Sequence, residues 1–272
     1  NDIENGLNVL IYAPRRFGKT SLVQEAVTGQ PYLVVFFDLM RAVDPQEFAQ
    51  AYFRSISESI EQSADRIVRT LRETLQFRPQ FSATFDRSGS PTFSLTIMPG
   101  EEAQVLEEVL ALPLRIAKQR KKRVLVVFDE FQEISRLGIE GTLRSAVQHH
   151  GDQVSYLFMG SKKSLMEQLF LDRGAPFFQS VKHLPINPIE AADWHPFLHK
   201  RFESANKTIS EEAIDAIVSL TNGFPYYTQQ IAYELFQQTD QGADREMVQD
   251  AIDSVIAKEE DLFLLEWESL GA

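Results

Sequence analysis

Five short apolar runs separated by helical stretches, an alternating two-stranded pattern inserted among them, and a final third without strand signals predict an α/β chain. The expected architecture is a five-stranded, mostly parallel sheet covered on both faces, with an inserted β-hairpin and a small C-terminal all-helical domain. A length of 272 residues allows one large domain or two unequal ones.

Residues 9–13 form the first apolar run, which ends in a turn, and a helix is predicted from Lys19 to Val27. Residues 32–37 make a second buried strand. Ile56, Ile60, Ala64, Ile67, Leu71 and Leu75 then recur every three or four positions, placing one apolar stripe on a long helix. The period changes to two where Phe81, Ala83 and Phe85 alternate with polar residues. After the turn-forming Arg87-Ser88-Gly89-Ser90-Pro91, Phe93, Leu95 and Ile97 alternate in the same way. This hairpin reads as a structural arm in preference to a partner-docking edge. A helical stretch interrupted at Pro113 leads to unbroken apolar strands at 124–128, 154–159 and 181–186. Beyond Pro188 helices are predicted at 189–202, 211–220, 226–237 and 245–258. The expected division is a core over 1–187, with the hairpin inserted at about 79–98, and a helical domain over 188–272.

Composition narrows the function classes. Hydrophobic residues make up 43% and charged residues 24%, enough for a substantial core. A net charge of −12 argues against a general nucleic-acid or membrane-binding surface, which needs a positive field. The basic cluster Arg120-Lys121-Lys122-Arg123 reads as a solvated helix end. Without cysteine there are no disulfides and no thiolate metal sites, and a cytoplasmic location fits best. No apolar run is long enough to span a bilayer, so no membrane partner is expected.

The strongest motif is Ala13-Pro14-Arg15-Arg16-Phe17-Gly18-Lys19-Thr20, set between an apolar strand and a helix. A loop of this length wraps phosphates with backbone N–H groups and adds the positive end of the helix. Lys19 is expected to bridge the β- and γ-phosphates, and Thr20 to offer its hydroxyl to Mg²⁺. The nucleotide contacts run from Pro14, Arg15, Arg16, Phe17 and Gly18 through Lys19, Thr20 and Ser21. Ala13 stands where the first glycine of such loops usually is, and is small enough for the turn. The strand at 124–128 ends in Asp129-Glu130. Asp129 would hold the metal through water and Glu130 would polarise the attacking water, an arrangement suited to hydrolysis more than to nucleotide phosphorylation. With no Asn-Lys-x-Asp-like guanine signal, ATP is preferred over GTP.

Together these residues resemble the AAA+ and STAND-type P-loop ATPases, most of all the prokaryotic archaeal-type ATPases, whose loop reads Pro-Arg-Arg-x-Gly-Lys-Thr. Phe128-Asp129-Glu130-Phe131-Gln132-Glu133-Ile134 is similar to that family's acidic motif. So is the stretch from Leu143-Arg144-Ser145 through His149-His150 to Gly160-Ser161. The resemblance implies a sheet of order 5-1-4-3-2 with a helical lid. It implies that Ser161 is a polar sensor of the γ-phosphate, with Arg144 a second candidate. Arg173 matches the position of an arginine finger, and Pro225, in Asn222-Gly223-Phe224-Pro225, lies where the lid packs near adenine. Simpler readings stand beside these: Ser161 as a helix cap, Arg173 as a surface arginine and Pro225 as a helix start. Relatives carry a base-clamping segment upstream of the first strand and often a winged helix after the lid, so the chain is expected to be the core of a longer polypeptide.

Other signals are weaker. His195 and His199 are four apart, but Pro196 interrupts them and no third ligand is evident, so a metal site is not expected. Asp38 and Arg41 are assigned to loop shaping. Tyr226, Tyr227, Tyr233 and Phe236 are assigned to lid core. The leading function is Mg²⁺-dependent ATP hydrolysis that moves the lid. The alternative is a slow-turnover nucleotide switch or scaffold, and a small-molecule kinase fits less well. The expected partners are ATP and a second copy or a partner protein, with DNA only through flanking domains.

Overall fold

The computed structural model describes residues 2–60, 80–85 and 91–270. Its central sheet contains β1 (Val9–Tyr12), β2 (Leu33–Asp38), β5 (Val124–Asp129), β6 (Val154–Gly160) and β7 (Lys182–His183). Every pairing in it is parallel, in the order β2-β5-β6-β1-β7. Numbering only these five strands along the chain and reading from β7, the order is 5-1-4-3-2.

The unbroken apolar character of these strands follows from burial on both faces. Val126 and Phe128 of β5, with Tyr156 and Phe158 of β6, face one core. Leu125, Val127, Leu157 and Met159 face the other. The first core is closed by α2 (Pro45–Ser59) and α3 (Glu102–Arg120), through residues such as Phe48, Tyr52 and Val109. The second receives Val23 of α1 (Lys19–Val27). Helix α2 starts sharply because the Asp44 carboxylate accepts from Glu47 N at 2.8 Å and Pro45 fills the first helical position.

β7 is shorter than expected. The run at 181–186 reads as a six-residue buried strand, yet only Lys182 and His183 pair with β1, and both are exposed. It lies at the sheet edge, and after Leu184, whose N–H still reaches Leu10 O at 2.9 Å, Pro185 ends the ladder. His183 instead stacks on Tyr12 at 4.6 Å.

The alternating segment is an antiparallel hairpin of β3 (Gln80–Phe85) and β4 (Pro91–Thr96), with Phe81 opposite Leu95 and Ala83 opposite Phe93. Phe93, Leu95 and Ile97 are buried in the first core, whereas Ser82 and Ser94 meet on the exposed face at 3.1 Å. Strand β4 is therefore part of the core. The helix expected through Ala64, Ile67, Leu71 and Leu75, and the turn at 87–90, lie outside the described residues; Ile56 belongs to α2, and Ile60 caps it.

After β5 come α4 (Ile134–Leu137) and α5 (Glu140–His150), and after β6 comes α6 (Lys163–Phe170). The chain divides into two compact units between Ile186 and Asn187, with Arg16–Gly18 grouping with the second. The second unit has its own core, built from Trp194, Phe202, Ile214, Ile231 and Leu235 among others. It contains α7 (Ala191–Glu203), α8 (Glu211–Thr221), α9 (Pro225–Gln238) and α10 (Met247–Leu270). A two-residue parallel ladder joins β8 (Thr208–Ile209) to β9 (Gly242–Ala243), a small addition to an otherwise helical unit. No helix among the described residues is long and apolar enough to cross a membrane.

Candidate nucleotide site

Strand β1 delivers the loop 13–18 to the N-terminus of α1, which begins at Lys19. Arg16 and Gly18 both have positive φ, 64° and 80°, and together they curl the loop. A side chain at Gly18 would meet nothing within 4 Å, so the backbone angle, not space, calls for glycine there. Pro14, Arg15, Arg16, Thr20 and Ser21 are exposed, while Phe17 and Lys19 are buried.

The Lys19 ammonium lies under the loop, donating to Ala13 O at 2.8 Å and Pro14 O at 3.0 Å. Burial lowers its pKa below the ordinary value; Glu130 and Asp129 oppose that shift, and Arg15 adds to it. The two acids thus lie near enough for their charge to act on Lys19. Thr20 Oγ1 donates to Asp129 Oδ2 at 2.7 Å, joining the start of α1 to the end of β5. A hydroxyl and a carboxylate held together are two hard oxygen donors, the chemistry Mg²⁺ takes beside phosphate and water oxygens, so the residues present fit that ion.

Glu130 follows Asp129 in a left-handed conformation (φ 48°, ψ 45°), and its N–H is held by Asp129 Oδ1 at 2.9 Å. Its carboxylate is gripped from two sides. Ser161 Oγ, just past the end of β6, donates to Glu130 Oε2 at 2.6 Å, and Gln132 Nε2 donates to the same oxygen. Gln132 Oε1 in turn accepts from Ser161 N at 3.3 Å. Ser161 therefore does not cap α6, which begins at Lys163 with no side-chain cap.

Gln132 lies within the acidic motif, which by itself gives it no role. Nothing local marks it; its partner is 29 residues away, on the neighbouring strand's end. Gly160 is a second residue without a sequence signal. A Cβ there would lie 2.4 Å from Met166 Sδ and 2.8 Å from Gln132 Oε1, so the bare backbone makes room for the clamp.

The remaining expected residues are not drawn into this cluster. Arg173 is exposed in the loop after α6 and has no hydrogen-bond or ion-pair partner among the described residues. Arg144 is half-buried on α5, its Nε without a partner among the described residues. Asp38 accepts from Met40 N and caps a 3₁₀ turn, a shaping role. Pro225 is the buried first residue of α9. Just before it, Gly223 has φ 68°, and a Cβ there would strike Ile189 O at 2.1 Å. Within the second grouping, Arg16 lies over the Tyr226 ring at 4.4 Å and reaches Glu259 at 3.3 Å, while Phe17 meets Phe224 edge-on.

A family described as an ATPase domain predominantly from Archaea matches residues 2–231. The chain belongs to this ATPase family. This ATPase domain shares its fold with a mutant of Thermotoga maritima RuvB at 11% identity and a TM-score of 0.51, over 92% of this chain and 62% of that one. Against the Aeropyrum pernix ORC1 protein in complex with DNA, identity is 15% and the TM-score 0.50, over 92% and 59% of the two chains. The ATPase chain thus spans about three fifths of the length of these structures. No curated protein matches it significantly. The phosphate-type loop, the parallel sheet and the family match make it a P-loop ATPase domain.

Proposed function

We propose that this domain binds ATP with Mg²⁺ in the loop 13–20 and hydrolyses its terminal phosphate. The observation that carries the reading is the 2.7 Å bond between Thr20 and Asp129, with Lys19 alongside and Glu130 next in the chain. Backbone N–H groups from Arg15 to Thr20 wrap the phosphates, and the N-terminus of α1 adds its partial positive charge. Lys19 exchanges its two loop carbonyls for β- and γ-phosphate oxygens. Mg²⁺, held by the Thr20 hydroxyl and through water by Asp129, would neutralise charge on the phosphate oxygens.

Glu130 accepts the proton of the attacking water, and Ser161 and Gln132 fix its carboxylate for that task. Ser161 thereby links the end of β6 to the reacting phosphate. Pro225 and its neighbours bound the adenine, and Arg173 supplies positive charge to the site of a second copy. In this reading the second unit acts as a lid that follows the nucleotide state. The acidic balance of this chain argues against a general DNA-binding surface on it. A DNA partner, as in the ORC1 complex, would act through other domains of a longer protein.

The test is ATP turnover and Mg-ATP binding by wild type, Lys19→Ala and Glu130→Gln. Wild type should turn over ATP, and Lys19→Ala should lose both binding and turnover. Glu130→Gln should retain binding while turnover falls by about 10²–10⁴-fold, the usual worth of a general base. Normal turnover in Lys19→Ala overturns the assignment. Tight binding with negligible turnover in wild type replaces hydrolysis with the nucleotide-switch reading.

A further inference from the structure

The second unit carries metal-ligating side chains for which the nucleotide chemistry has no use. His195 and His199 sit four residues apart on α7, and the helix runs through Pro196 from Ala191 to Glu203 without a break. The proline that suggested an interruption in the sequence therefore leaves both imidazoles on one face, with ring centroids 6.4 Å apart. The third ligand comes from the next helix. Glu211 opens α8, and its carboxylate spans the two rings: Oε1 lies 2.7 Å from His199 Nε2, and Oε2 touches His195 Nδ1. One ligand atom from each of these three residues lies within 4.8 Å of the others.

Asp215, one turn further along α8, completes the arrangement. Its Oδ1 is 2.8 Å from His195 Nε2, on the far side of the ring from Glu211. A neutral imidazole has one N–H and one lone pair. With the N–H on Nε2 and directed at Asp215, the Nδ1 lone pair faces a carboxylate oxygen. Two lone pairs in contact repel unless a positive centre lies between them, and either a second ring proton or a metal ion can be that centre. A carboxylate that holds the outer N–H of a ligating histidine, fixing its tautomer and raising its basicity, is the usual support of a metal–histidine bond.

We propose that His195 Nδ1, His199 Nε2 and a Glu211 carboxylate oxygen form a three-ligand site for a borderline divalent cation, zinc being the best fit, with Asp215 as positioning residue. Two nitrogens and one oxygen suit Zn²⁺, whereas Mg²⁺ takes an oxygen shell. The Glu211 and Asp215 side chains are 63% and 66% exposed, so water can enter as the fourth ligand. Because the ligands come from two helices, the ion clips α7 to α8 and stabilises the second unit. This site is independent of the nucleotide reading.

The experiment uses the full chain without a polyhistidine tag, stripped with a chelator and titrated with Zn²⁺ by calorimetry in the presence of excess Mg²⁺. One ion should bind per chain at micromolar affinity or better, raising the thermal midpoint. Co²⁺ should give the intense ligand-field bands of a four-coordinate site. His195→Ala and His199→Ala should each weaken binding at least tenfold. Asp215→Asn should weaken it about 10–100-fold while keeping a stoichiometry of one. All four residues lie at the surface of their helices, and circular dichroism checks that the variants fold. The wild-type Co²⁺ spectrum decides independently of any variant. No zinc binding at 1:1, equal binding by wild type and the double histidine variant, or an octahedral Co²⁺ spectrum would each overturn the proposal, leaving ordinary histidine–carboxylate pairs.

Discussion

Two neighbours hold the Glu130 carboxylate in one position. Ser161 and Gln132 both donate to Oε2, and the Gln132 carbonyl is itself tied to Ser161 N. Gln132 is 3% exposed, so its amide has little water to turn to. Replacing it with Ala leaves the phosphate loop intact but frees the Glu130 carboxylate to rotate. Gln132→Ala should lower kcat by about tenfold with KM for ATP nearly unchanged, the signature of an interaction needed only in the transition state. Steady-state kinetics check this, and a rise in KM with kcat intact would assign Gln132 to binding. At this scale the sequence was informative where one motif sets the spacing. The loop and the strand end it marks are brought together by the Thr20–Asp129 bond, with Lys19 and Glu130 beside it. Gln132 and Gly160 did not follow, because their value depends on two strand ends meeting across the sheet. The spacing of His195 and His199 shows no third ligand for the same reason: Glu211 is adjacent only after α7 and α8 pack.

Elements meet titratable groups where α5 lies on β6. His150 ends α5, and its Nδ1 is 2.6 Å from the hydroxyl of the fully buried Tyr156. Burial, with smaller contributions from His149 and Lys118, pushes the His150 pKa down to about 4. The imidazole is therefore neutral in the fold, while in the unfolded chain it titrates near its ordinary value of 6.5. As pH falls below 6.5 the unfolded chain takes up the proton first, so stability is highest above that value and is lost progressively toward pH 4. Between pH 7 and 5.5 the loss from this group is about 1 kcal/mol. Urea unfolding at the two pH values measures it, and His150→Gln should remove most of the difference. Element types were legible from period: two for the hairpin, 3.6 for the helices, none for strands buried on both faces. Strand lengths were less so. Lys182 and His183 sit in an apolar run that looks buried, but hydrophobicity cannot distinguish an edge strand beside Pro185 from a central one.

For the molecule as a whole, strand order is the feature that local sequence carries least, because each parallel strand shows the same apolar run whichever neighbours it pairs with. The order came from family resemblance, and pairings such as Val9 with Leu157 and Leu33 with Val124 set it in space. The order places the ends of β1, β5 and β6 together, and with them the loop, the two acids and Ser161. It leaves Arg173 outside, exposed and without a partner among the described residues. An exposed arginine without an ion-pair partner among the described residues can turn its guanidinium to an anion on another molecule, and in a hydrolysis site that charge is worth most beside the transferring phosphoryl group. If Arg173 serves the site of a second copy, specific activity should rise with protein concentration. A complementation experiment is sharper. Arg173→Ala retains Glu130 but lacks the arginine, whereas Glu130→Gln retains the arginine but lacks the base. Each alone should be nearly inactive, and an equimolar mixture should recover a substantial fraction of wild-type turnover, because Glu130→Gln subunits supply Arg173 to the intact sites of their neighbours. A mixture no more active than the sum of its parts, together with specific activity independent of concentration, would return Arg173 to the surface and make each chain complete on its own.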